Sequence, residues 1–192
     1  MVNAGSDALE QKYESVGTSP LRSDAKSKAM GRALFIDDMD FRGMLYGKVL
    51  RSKYSHARIL SIDTSRAECL PGVRGVVTGA DMPFIHGESL KDECFLARGK
   101  VRYRGEGVAA VAAVDEATAE AALGLIDVQY EELPTVFDPE EAAKPEAPVI
   151  HEDLATYRHP PGIKPIQGTN ICNHFAMERG DAIGPKLLHA RQ

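Results

Sequence analysis

The pattern of hydrophobic and polar positions divides the chain near Met44. Residues 1 to about 30 are polar, rich in Ser, Lys and Asp, and carry no apolar period. They predict an extended N-terminal arm, ordered only where another surface holds it. From Met44 onward, "MLYGKVLRS" and "ARILSID" are short apolar runs with strand-like content, joined by "KYSHA", and predict an early strand pair. "DTSRAECL" then predicts a short helix capped by Asp63 or Thr64, and "PGVRGVVTG" a turn followed by a third strand. "ADMPF" predicts a brief helical turn. Residues 85–100, "IHGESLKDECFLARGK", lack a clean period and predict a surface loop ending in a short extended piece.

The most ordered pattern is "VRYRGEGVAAVAAVDEATAEAALGLIDVQYEELP", residues 101–134. "VRYR" reads as a strand, "GEG" as a tight turn between antiparallel strands, and "VAAVAAV" as a central strand covered on both faces. Asp115 caps the helix that follows. Ala119, Ala122, Leu123 and Ile126 fall at i, i+3, i+4 and i+7, one apolar stripe. "DVQYEELP" returns as a strand with Val128 and Tyr130 on one face, stopped by Pro134. The unit predicts a βαβ crossover in a mixed sheet, hence an α/β (α+β) fold. Pro145, Pro148, Pro160, Pro161 and Pro165 then favour an extended connector over a second compact domain. The expected organisation is an arm at 1–30, an α/β domain at 31–143 and a Pro-rich connector and tail at 144–192.

Composition narrows the chemistry. A chain of 192 residues is long enough to bury a core without disulfide staples. A net charge of -5 gives no broad cationic field, which argues against nucleic acid or an anionic membrane as main partner. No apolar run approaches the roughly 20 residues needed to span a bilayer, and the N-terminus has no apolar leader. A cytoplasmic location is the expectation. Cys69, Cys94 and Cys172 are far apart and form no CxxC, which argues against a zinc or iron–sulfur site supplied by this chain alone.

Individual motifs stay bland. Gly105-Glu106-Gly107 lacks a third glycine and precedes a strand, not a helix, so phosphate has no helix N-terminus to bind and Glu106 would repel it. His56, His86, His151, His159, His174 and His189 include no pair at i, i+4. The adjacent carboxylates Asp37/Asp38 and Asp92/Glu93 define no acid and base without a known separation. No catalytic, cofactor-binding or metal-ligating residue is assigned.

The order of "VGTSPLRSDAKSKAMGRALFIDDM", "GMLYGKVLRSKYSHARILSIDTSRAECLPGVRGVVTGADMP", "FLARGKVRYRGEGVAAVAAVDEATAEAALGLIDVQYEELPTVFDPEEA" and "PVIHEDL" resembles one family. It is the N-terminal part of the molybdenum-binding large subunit of xanthine dehydrogenase, aldehyde oxidase and aerobic carbon monoxide dehydrogenase. The resemblance implies an α/β hammerhead domain. It also implies membership in an oxidoreductase that hydroxylates a carbon centre with water-derived oxygen, using a molybdenum–pterin cofactor and passing electrons to iron–sulfur clusters and FAD on partner subunits. In that family the pterin-binding segments and catalytic glutamate lie beyond the hammerhead, so this chain is expected to bind no cofactor and to be inactive alone. By position, Ser89 and Leu90 correspond to a pair facing the substrate channel. Implied partners are iron–sulfur and flavin subunits or the remaining large-subunit domains, with self-association a further option. Two departures stand out: Lys53 replaces the family's usual Pro, and after "ERGD" the sequence "AIGPKLLHARQ" leaves the pattern. The latter suggests a truncated or frameshifted gene, a split subunit or an engineered boundary. The alternative expectation is a stand-alone interaction or scaffold module without enzymatic activity.

Overall fold

The computed structural model describes Gly17 and residues 19–177. Expectations that fall on residues 1–16, Thr18 and 178–192, including His189 and most of the terminal arm, lie outside the described residues. The chain divides into two compact units, Met1–Arg42 and Gly43–Gln192.

In the first unit, the described part of the expected arm contains one short helix, α1 (Ala25–Ala29), where no element is predicted. Asp24 holds its start by pairing with Arg22 at 2.6 Å and Lys28 at 2.7 Å. These cations, Lys28 foremost, hold the Asp24 carboxyl below the usual range. A 3-10 turn follows at Ile36–Asp38, where Asp38 Oδ2 accepts from the Phe35 amide at 2.9 Å.

The second unit contains two three-stranded sheets and a two-stranded one. Strand β1 (Tyr46–Arg51) and β3 (Val73–Thr78) flank β7 (Gly107–Ala113) in one sheet; β6 (Lys100–Val101) and β8 (Asp127–Glu132) flank β2 (Ala57–Asp63) in another. Every strand pair is antiparallel. The expected mixed sheet is therefore corrected, and so is the early strand pair: β1 and β2 lie in different sheets. Strand, helix and strand do follow in order through β7, α3 (Glu116–Leu123) and β8, but they cross from one sheet to the other. The reason is occupancy. Both edges of β7 are already hydrogen-bonded, with Val111 opposite Lys48 on one side and Val76 on the other, leaving no edge for a parallel β8.

Alternation along β7 explains its composition. Ala109 and Val111 point into one cluster with Ala67, Ala122 and Ile126; Val108 points into a second with Ala57, Ala97 and Val101. Small side chains permit close approach on both faces of a strand that must fit between two layers. Ile62 and Val128 touch both clusters. The apolar stripe of α3 is buried as expected, with Ala119 and Ala122 fully covered. Asp115 accepts from the Thr118 amide at 2.7 Å and caps the helix; its bonds to Thr118 favour the charged form and lower its pKa. In α2 (Ser65–Glu68), Thr64 occupies the N-cap position without a side-chain cap bond, and the Asp63 carboxylate accepts from the Ser65 amide at 3.0 Å.

Two local expectations fail for identifiable reasons. Residues 80–84 form no helix: Thr78 and Asp81 close a tight turn instead, the Asp81 carboxylate taking the Thr78 amide at 2.8 Å and hydroxyl at 2.9 Å. The Gly105–Gly107 turn does not join two paired strands, because β6 pairs with β2 while β7 pairs with β1 and β3. It is the corner where the chain changes sheets. Gly105 takes φ +92°, a left-handed conformation that suits glycine.

The Pro-rich segment is anchored to the core. Helix α4 (Pro139–Ala142) is capped by Asp138, which accepts from the amides of Glu140 and Glu141 at 2.9 Å each. Farther on, Leu154 is 3% exposed, and Lys100 pairs with Glu152 at 2.6 Å.

Candidate functional site

Residues 85–100 are not only a loop. They fold into a small hairpin, β4 (Ile85–His86) against β5 (Glu93–Cys94), with Ile85 opposite Cys94 and His86 opposite Glu93. Two-residue strands are too short to print a period of two on the sequence. Gly87 is essential to the bend: it takes φ +136°, and a Cβ there would lie 1.9 Å from the Leu90 carbonyl oxygen. The Lys91 ammonium donates to the Gly87 carbonyl, and the Lys91 amide donates to Arg158 O at 3.0 Å, which ties the hairpin to the Pro-rich segment.

The channel-facing candidates Ser89 and Leu90 sit at this tip, Ser89 exposed and Leu90 half-buried. The side chains brought beside them are largely aromatic or ionisable. His86 stacks on Phe95 with ring centroids 4.3 Å apart, and its Nδ1 lies 3.5 Å from Glu93 Oε2. Phe84 and Phe95 are 66% and 55% exposed. The sequence neighbours Asp92 and Glu93 part company: Glu93 meets His86, whereas Asp92 lines a hollow with Val136, Ile150, His151, Leu154 and Asn170.

That hollow, about 260 Å³, is what sequence reasoning missed. Asn170 builds its wall by accepting from the Ile150 amide at 2.8 Å and donating to Ala142 O at 3.1 Å and Pro148 O at 3.0 Å. His151 Nδ1 lies 3.2 Å from the Tyr157 hydroxyl, the two rings edge to face. Burial, and next the Arg102 guanidinium, hold the His151 pKa below the ordinary imidazole value. The only available signal was the "PVIHEDL" stretch, and it carried no spacing that pointed to Asp92 or Asn170.

Glu106, unlike the half-buried His151, is a buried ionisable group, 5% exposed inside the sheet-changing corner. Its Oε2 accepts from the Arg102 amide at 2.5 Å. Burial raises its pKa despite that bond and the nearby Arg102 and Lys100 cations. Its carboxylate fastens the corner from within, which sets it apart from an anion-repelling surface group. His56 is buried with Nδ1 2.6 Å from Pro134 O, and among the described residues its Nε2 has no partner and Cys69, Cys94 and Cys172 form no disulfide.

Among the described residues, no group of three or more His, Cys, Asp and Glu side chains is placed to hold a metal ion. The hollow is smaller than the roughly 300–1,000 Å³ of ordinary small-molecule sites and includes the Asp92 carboxylate, so it does not fit a bulky metal–pterin group. A second, open depression of about 670 Å³ is lined by Ile59, Ile62, Gly79, Ala97 and Arg98 among others, without a metal ligand. No helix among the described residues is long and apolar enough to cross a membrane.

Comparison with known proteins agrees with this architecture. Residues 30–134 match the family model described as aldehyde oxidase and xanthine dehydrogenase, a/b hammerhead domain. The chain is 47% identical over 137 residues to a probable xanthine dehydrogenase subunit from Bacillus subtilis strain 168, covering 70% of this chain and 18% of that protein. The crystal structure of the Cu,Mo-CO dehydrogenase in its carbon monoxide-reduced state superposes with TM-score 0.65 at 38% identity, over 71% of this chain and 18% of its counterpart. Quinoline 2-oxidoreductase from Pseudomonas putida 86 gives TM-score 0.63 at 42% identity, over 71% and 19%. The chain thus spans under one fifth of the length of each of these relatives. From the strand order of its core to the sequence that builds it, this chain belongs to the aldehyde oxidase and xanthine dehydrogenase family, as an α/β hammerhead domain.

Proposed function

We propose that the chain serves as the hammerhead portion of a molybdenum hydroxylase large subunit, an oxidoreductase that hydroxylates a carbon centre with oxygen from water. One observation carries the proposal: the continuous likeness, in sequence and fold, to a short part of xanthine and carbon monoxide dehydrogenase polypeptides. Other relatives are named as molybdenum-binding or molybdopterin subunits, which supports a molybdenum–pterin cofactor for the assembled enzyme. In this assignment the chain supplies scaffold, subunit contacts and, through Ser89 and Leu90, a piece of substrate-channel wall. The cofactor is held by other polypeptide, electrons leave through iron–sulfur and flavin groups on partners, and the assembly is cytoplasmic.

The test is co-expression of the 192-residue chain with iron–sulfur, flavin and cofactor-binding polypeptides of the family. A stable complex containing molybdenum, with no metal on the purified chain alone, is the expected result. Stoichiometric molybdenum on the isolated chain would overturn the assignment of the cofactor to other polypeptide. In the active complex, Leu90→Trp should raise KM for bulky substrates and leave small ones unaffected; equal effects on both would remove Leu90 from the channel.

The exposed Phe84 and Phe95 favour a second reading, a stand-alone interaction module that presents this face to a partner. Failure to join any cofactor-bearing polypeptide, with self-association or capture of another protein through this face, would select it.

A further inference from the structure

Two short segments from distant parts of the sequence are stapled side by side at the corner between the sheets. The Ser52 amide donates to Glu106 O and the Gly105 amide to Ser52 O, each at 2.9 Å, and Arg51 Nη1 donates to Gly105 O at 2.8 Å. Ser52 is itself buried, its hydroxyl closing the loop by accepting from the Tyr54 amide at 3.0 Å. The backbone of both segments is therefore fixed, and their outward side chains share one surface.

That surface is cationic on a chain whose net charge is -5. Arg51, Lys53 and Arg104 are exposed, and among the described residues none has a carboxylate within ion-pair distance. Glu106 is the acidic member of the pair of segments, and it is turned inward at 5% exposure, committed to the Arg102 amide. The nearby hairpin carboxylate, Glu93, faces His86. Tyr103 stands among the cations at 60% exposure, while Lys53 reaches over the Tyr54 ring at 5.2 Å. Arg and Tyr on a rigid support are the side chains that most often anchor protein interfaces.

We infer that residues 51–54 and 103–105 form a docking surface for a carboxylate-rich face of another protein. The charge is local and small in area, which suits acidic side chains on a folded partner better than the long, uniform field of a nucleic acid. Lys53 and Arg104 supply the steering charge, and Tyr103 the apolar contact.

The test uses the purified 192-residue chain, a labelled oligo-glutamate peptide as the acidic probe and a labelled single-stranded oligonucleotide as the alternative polyanion. The peptide should bind at low salt and weaken as salt rises towards about 0.15 M, where screening acts within about 8 Å. Lys53→Glu with Arg104→Glu should weaken peptide binding about tenfold or more. Arg66→Glu with Arg74→Glu makes the same charge change on exposed residues away from this corner and should leave binding unchanged. Circular dichroism confirms that both double variants remain folded; should the first unfold, Lys53→Gln with Arg104→Gln replaces it, with weaker binding again expected. Peptide binding that is absent, equal in all variants, or weaker than oligonucleotide binding would overturn the inference. These outcomes are independent of whether the chain assembles with molybdenum-bearing polypeptides.

Discussion

Strand β7 and the β4–β5 hairpin are the two extremes of the hammerhead. β7 has seven residues, both neighbours paired and both faces covered; Val108, Ala109 and Ala113 are fully buried. The hairpin has two residues per strand, a single pairing and two largely exposed phenylalanines. Successive positions on β7 face one packed layer and then the other, so the strand is constrained from both sides, whereas the hairpin is held by its bend and a few polar ties. Rigid support and adaptable surface are thereby separated within one domain, as they are wherever loops carry function on a fixed scaffold.

The contrast is tested most severely at Val111, which is 2% exposed between β1 and β3. Val111→Asp places an uncompensated carboxylate in the core and should destabilise the fold by about 4 kcal/mol, or prevent folding, as read by urea unfolding. Gly87→Ala should be costly in a different way. The strained φ and the clash with Leu90 O cost about 1–3 kcal/mol but act locally, so protease cleavage within 87–92 should rise well before the urea midpoint moves appreciably. If both variants unfold the whole chain equally, the hairpin is not an independent surface.

A smaller effect concerns the tie between core and Pro-rich segment. Lys100→Ala removes the ion pair with Glu152, whose side chain is 62% exposed, and should cost no more than about 1 kcal/mol beyond lost packing. Faster amide exchange around 150–158 would be its signature. Buried Glu106 and half-buried His151 add pH dependence of opposite sign. Glu106 has a raised pKa in the folded chain, so its contribution is most favourable in acid and is lost as pH rises through its folded value. Glu106→Gln should therefore gain stability relative to the parent between about pH 4.5 and neutrality, measured by urea midpoints across that window. His151 has a lowered pKa, so it favours the folded state above the ordinary imidazole value and loses that contribution as pH falls below about 6.5. His151→Phe should flatten the acid-side loss. The smallest expected change is Phe95→Ala: at 55% exposure it should leave stability within about 0.5 kcal/mol while weakening any contact made through the hairpin face.

Legibility in the sequence follows the same division. β7, α3 and β8 were readable because six to eight residues suffice to express a buried run or a helical stripe, and Asp115 is a cap whose bond is made three residues away. The hairpin was not, because Ile85–His86 and Glu93–Cys94 are too short to alternate visibly. Ser89 and Leu90 came from likeness to the family, and the structure places them at the hairpin tip. Asp92, His151 and Asn170 could not be read together, since 59 positions separate the first two and only the folding back of the Pro-rich segment unites them around one hollow.

Local elements and family membership are written in short stretches of residues, because capping, periodicity and turn chemistry act over a few positions and the ordered motifs are specific. Strand pairing, the inward turn of one carboxylate and the outward display of the cations arise only when distant segments meet. Two edges of β7 can each be filled once, and that exclusion sends β8 to the other sheet. Glu106, which in the sequence reads as a charge exposed in a turn, is buried because the corner it occupies is closed by Ser52, a residue 54 positions away.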